Sequence, residues 1–101
     1  MSENSIENGL GFLIDSSEEY FRKFCLAQSL GYLQGLKNVM LSVYNSVCDM
    51  KDSVVQKTAD GEIAETESVS LLEGLFSKLM RIERCVFIVQ EVIDIRIKSF
   101  H

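Results

Sequence analysis

The chain contains no proline, and over most of its length the apolar residues step by three, four or seven. Leu26, Leu33, Leu36, Met40, Val43, Val47, Met50 and Val54 do so in one stretch. Leu72, Leu75, Leu79, Ile82, Val86, Val89, Ile93, Ile97 and Phe100 do so in another. Spacings of this kind put one apolar seam along an α-helix. The expectation is therefore an all-α chain, a helical hairpin or up-down helical bundle with two long helices and a short N-terminal one. The segments 85–97 are rich in β-branched residues and would suit strands, but they hold no glycine, proline or asparagine to turn a hairpin, so helix is preferred.

Punctuation divides the chain. Ile6, Leu10, Leu13 and Ile14 suggest a short helix over 2–14, interrupted by Gly9 and Gly11. Ser16, with Glu19 three residues later, has the form of a capping box. The first long helix is expected over 17–57, a turn over 58–66 around Asp60-Gly61, and the second long helix over 67–99. Glu65, Glu67 and Glu73 near the start of that last helix, with Arg96 and Lys98 near its end, suit the macrodipole. All 101 residues form one domain on this reading.

Length then becomes a constraint. At 1.5 Å per residue the two helices would run about 60 and 50 Å, whereas a compact domain of this size has a radius of gyration of ~13 Å. Either the molecule is an extended hairpin, or the first helix kinks at 31–35, where Gly31 and Gly35 weaken it and would lie against a neighbouring backbone.

Apolar residues also lie off the seams: Phe21, Cys25, Tyr32, Val39 and Tyr44, then Phe76, Met80, Phe87, Ile88, Val92 and Ile95. A two-helix hairpin buries one stripe per helix and would leave these in water. Patches of that extent mark interaction surfaces. The expected interface is Phe21, Tyr32, Val39, Tyr44, Phe76, Met80, Phe87, Ile88, Val92 and Ile95, used for two-fold pairing into a four-helix-type bundle. The competing expectation is that the N-terminal arm covers the second face within one chain.

Composition narrows the function classes. Ten basic residues against fifteen acidic ones give a net charge of −5, which disfavours a phosphate-binding surface. The hydrophobic fraction of 47% excludes a disordered chain, and no stretch suits a membrane span. Cys25, Cys48 and Cys85 form no CxxC pair and read as reduced thiols of a cytoplasmic protein. Arg96 and His101 have the arginine–four residues–histidine spacing that resembles the motif of HEPN-type ribonucleases. That likeness covers six residues, and Ile97 stands where the family carries a polar side chain. His101, the single histidine, reads better as a chain end.

Glu91 and Asp94 share a helix face at i, i+3, the fragment of a carboxylate array that a magnesium-dependent all-α hydrolase would need. Lys78, Arg81 and Arg84 form the densest basic patch, a docking surface for an acidic protein or for nucleic acid. Neither signal outweighs a binding role. The expectation is a non-enzymatic protein–protein interaction module, a homodimer without cofactor, metal or membrane contact. Small acidic helical proteins of this class include secretion chaperones, immunity proteins and phage-encoded inhibitors, a likeness of size and class alone.

Overall fold

The computed structural model describes residues 11–99, and those residues are helical without strands. A short helical stretch over 11–15 is followed by α1 (Glu18–Leu26), α2 (Leu30–Ala59) and α3 (Glu65–Ser99). The remainder of the short helix expected over 2–14 lies outside the described residues, as do Phe100 and His101. The β-rich stretch 85–97 is helical throughout. Its branched side chains pack against other helices, which outweighs their modest intrinsic preference for strands.

Two serines set where the helices begin. Ser17 caps α1 by accepting a hydrogen bond from the Tyr20 amide at 3.1 Å. Ser29 caps α2 in the same way, accepting from the Tyr32 amide at 3.2 Å. Each satisfies an amide that the first turn leaves without a helical partner. The expected cap, Ser16, instead donates to the Leu13 carbonyl at 2.6 Å and closes the preceding turn. The helix expected over 17–57 is thus broken, but at 27–29 and not at 31–35. A Cβ added at Gly31 or Gly35 would meet nothing within 4 Å, so neither glycine serves a close approach. At the break, Arg96 donates to the Leu26 carbonyl, one of the acceptors that the end of α1 leaves open.

The loop after α2 follows from one glycine. Gly61 has φ +81°, its amide donates to the Thr58 carbonyl at 3.1 Å, and the Glu62 amide donates to the Lys57 carbonyl at 2.9 Å. These are the paired bonds of a Schellman motif, in which the residue after the cap is left-handed. Below the turn, Thr58 Oγ1 lies 2.7 Å from the Val54 carbonyl and 2.8 Å from Ser68 Oγ. One hydroxyl proton serves one acceptor, so Thr58 donates to Val54 while Ser68 donates to Thr58. Ser68 is thereby buried with its polar atom satisfied.

From that turn α2 and α3 run antiparallel. Thr58 sits opposite Ser68, Lys51 opposite Phe76, and Lys37 opposite Gln90, to which it donates a hydrogen bond. This register brings Leu33, Leu36, Met40 and Val47 into the same core as Leu79, Ile82, Val89 and Ile93. α1 then lies along the far half of α3 and runs in the same direction. Glu18 meets Arg84, Arg22 meets Glu91, and Leu26 meets Arg96. Among the described residues the molecule has α1, α2 and α3 together at one end and α2 and α3 at the other, with extents of 56 × 29 × 20 Å. Its radius of gyration, 16.4 Å, exceeds the ~13 Å of a compact domain and fits the extended hairpin. Near the two-helix end the expected seam thins. Leu72 and Leu75 are half-buried and Met50 is exposed, as is Leu26 at the break and Ile97 near the end of α3.

Two substitutions test this construction. Met40→Ala, at a fully buried site, is expected to lower the unfolding free energy by about 2–5 kcal/mol. Gly61→Ala is expected to lower it by about 1–2 kcal/mol, because an L side chain is disfavoured at positive φ. Urea titrations followed by circular dichroism measure both.

Candidate interaction face

The packing of α1 decides which apolar residues remain available. Phe21 and Cys25 are buried, and on α3 so are Cys85, Ile88 and Val92. Phe21, Cys85 and Ile88 also line a small cavity with Ile14, so the 11–15 turn and α1 share this contact. Three residues expected at an intermolecular interface, Phe21, Ile88 and Val92, therefore lie in the core of the single chain. The physical reason is the break at 27–29, which frees α1 to fold back onto α3. The cover comes from α1, with Leu13 and Ile14 beside it; residues 2–10 of the N-terminal arm expected over 2–14 lie outside the described residues. Tyr44 is half-buried against the same core.

Ion pairs lace this contact. Arg81 pairs with Asp15 at 3.1 Å and Arg84 with Glu18 at 3.0 Å, while Arg22 pairs with Glu91. Two of the three residues of the expected basic docking patch thus engage acids of the N-terminal segment. These pairs are half exposed and orient the segment more than they stabilise it. Glu91 is held by Arg22, and Asp94 accepts from Gln90 at 2.9 Å, so this carboxylate pair is occupied by protein donors. Among the described residues, no group of three or more histidines, cysteines or acids is placed to hold a metal ion.

The thiols beneath the ion pairs are electrostatically quiet. Burial, with a smaller contribution from Cys85, raises Cys25 from the usual 9.0 to about 11, against the opposing pull of Arg22. Burial likewise raises Cys85 to about 11, opposed by Arg84 and assisted by Glu18 and Asp15. A thiol held protonated is a poor nucleophile and a poor metal ligand, so both act as small apolar core residues.

Among the described residues, the side of α3 turned away from α1 and α2 carries an open row of large apolar side chains. Val69, Phe76, Met80 and Phe87 follow one another at seven, four and seven residues, which keeps them on one stripe. They are 57%, 50%, 63% and 74% exposed. Lys51 lies 6.0 Å from the Phe76 ring centre and covers one edge of the stripe. Two shallow hollows flank Met80. One, of about 430 Å³, is lined by Glu73, Phe76, Ser77, Met80, Arg81 and Arg84. The other, of about 450 Å³, is lined by Met80, Glu83, Arg84, Phe87, Ile88 and Glu91, with Glu18 and Arg22 at its side.

The other expected interface residues do not join this stripe. Tyr32 and Val39 are exposed on α2, and Tyr32 makes an edge-to-face contact with Phe24 at 6.1 Å. Ile95 is exposed on α3 but stands eight residues after Phe87, about 80° around the helix. Val69 was not among the expected interface residues. Its seven-residue spacing to Phe76 was the signal that could have placed it there.

No family model matches the chain, and no curated protein or solved structure matches it either. No helix among the described residues is long and apolar enough to cross a membrane.

The raised thiols make a pH prediction. Because the folded chain holds Cys25 and Cys85 protonated past the usual thiol pKa, the unfolded chain loses those protons first as pH rises. Their contribution to stability is present below pH 9.0 and declines up to about pH 11. Urea midpoints measured from pH 8 to 10.5 are expected to fall, with a shallower fall in Cys25→Ala. At pH 8, a maleimide is expected to label half-buried Cys48 well before the other two.

Proposed function

We propose that this chain is a non-enzymatic protein–protein interaction module that presents the open face of α3 to a protein partner. The observation that carries this is the stripe of Val69, Phe76, Met80 and Phe87, large apolar side chains left half or more exposed on one side of one helix. Contiguous apolar surface of this kind is a mark of an interaction site in a water-exposed protein. Covering these four would contribute on the order of 5 kcal/mol before association costs.

The chemistry that the rival readings need is already engaged. A magnesium hydrolase would require free carboxylates facing one another, yet Glu91 and Asp94 are bound by Arg22 and Gln90. Nucleic-acid binding through Lys78, Arg81 and Arg84 would require their charge to be free, yet two of them face acids at 3.1 and 3.0 Å. Both features favour an adaptor, chaperone, immunity or inhibitor-like role over catalysis.

Phe87→Glu tests the assignment. The side chain makes no core contact, so the circular dichroism spectrum and urea midpoint are expected to stay at their wild-type values. Affinity capture from the native cell extract, read by mass spectrometry, is expected to lose the partner with Phe87→Glu. It is expected to keep it with Val55→Glu, a half-exposed apolar site on α2 near the turn. Retention of the same partners by Phe87→Glu would refute the role given to this face.

A further inference from the structure

We propose that residues 1–10, which lie outside the described residues, dock in the groove between α2 and α3 that continues beyond the start of α1 toward the Gly61 turn, with Ile6 and Leu10 entering it and Glu7 beside Lys78. This groove lies on the side of α3 opposite the open row of Phe76 and Met80, so the inference stands apart from the interaction reading above.

The groove prolongs the seat of α1. α1 and the 11–15 stretch lie over Val92, Ile88, Cys85 and Arg81. Steps of three and four carry the same stripe of α3 on to Lys78, Gly74 and Leu71. On α2, Tyr32 touches Phe24 of α1, and steps of seven, four and seven lead from it through Val39 and Val43 to Met50. Both walls therefore face the side of α1, whereas Lys51 at Phe76 and Lys37 at Gln90 mark the other side. Met50 is 56% exposed and Leu71 42%, with Val54 half-buried beside them. A Cβ added at Gly74 would meet nothing within 4 Å, so a floor without a side chain leaves room for a chain segment between apolar walls.

Chain direction, reach and charge name the occupant. Leu26, Arg22, Glu18 and Asp15 meet Arg96, Glu91, Arg84 and Arg81 in turn, so the chain followed backward descends α3 toward the groove. From Arg81 to Leu71 the helix rises about 15 Å. Ten residues cover about 15 Å as a helix and up to about 33 Å extended, so either form reaches. In a helix, Ile6 and Leu10 share the face on which Leu13 is buried, at steps of four and three. Arg84 and Arg81 are taken by Glu18 and Asp15. Lys78 is the next base along that stripe and makes no ion pair among the described residues. Glu7 is the next acid before Asp15. Glu67, one turn past Leu71, ends the complementary run.

Disulfide trapping in the full chain tests the placement. In a Cys48→Ser background, Ile6→Cys is combined with Gly74→Cys or with Phe76→Cys, two sites at nearly one level on opposite sides of α3. Under oxidised glutathione the 6–74 pair is expected to close within one chain about tenfold faster than the 6–76 pair, because docking raises the effective concentration at one site alone. Lys78→Glu is expected to slow the 6–74 closure severalfold, and Glu7→Lys in the same chain to restore it. Equal closure at 74 and 76, closure at neither, or a rate indifferent to Lys78→Glu would overturn the proposal. A 6–74 link that joins two chains would give the groove to a second copy and overturn it too. Urea titration supplies a readout without added thiols. Leu10→Asp is expected to lower the midpoint, and Leu71→Asp added to it to lower the midpoint no further; a midpoint unmoved by Leu10→Asp would count against the contact.

Discussion

The α3 helix carries apolar residues on three sides, and among the described residues two helices, α1 and α2, cover two of them. That mismatch governs the molecule. α2 takes the side of Leu79, Ile82, Val89 and Ile93, and α1 takes the side of Cys85, Ile88 and Val92. The third side holds Val69, Phe76, Met80 and Phe87 and faces water. Burying a large apolar side chain is worth about 1.5–3 kcal/mol, so a helix that leaves four of them open stands to gain from a further contact.

How α1 reaches α3 depends on local chemistry at its two ends. Ser17 starts it, and Ser29 starts the next helix after a three-residue gap. That gap reverses the chain, so α1 runs alongside α3 while α2 runs against it. Asp15, Glu18 and Arg22 then find Arg81, Arg84 and Glu91 at matching heights. Placed near the surface, these pairs contribute little energy, but they fix the register of a contact whose apolar part alone would slide. They also commit basic residues that would otherwise have formed a cationic strip on an acidic protein.

Much of the architecture was legible in the amino-acid sequence. The three- and four-residue spacing, the lack of proline and the Asp60-Gly61 pair specify two long antiparallel helices, since each feature acts through local backbone geometry. The break falls at 27–29 and not at Gly31 and Gly35, although glycine is the weaker helix former. Ser29 is the stronger determinant, because a side chain that satisfies an open amide favours a helix start more than a glycine one turn inside disfavours continuation. Phe21, Ile88 and Val92 were expected on an outer face because they stand off the seams of a two-helix hairpin, and the break at 27–29 is what lets α1 bring residue 21 back to residue 88.

The sequence by itself determined the helical class, the turn and the surplus of apolar surface, because periodicity and capping are properties of neighbouring residues. Only the tertiary structure decided which part of that surplus is shared within the chain and which part is left over. Phe21 and Phe87 belong to the same residue type and both stand off the predicted seams, yet one is 1% exposed and the other 74%. The difference arises from where α1 lies down on α3, a long-range contact that no local pattern encodes.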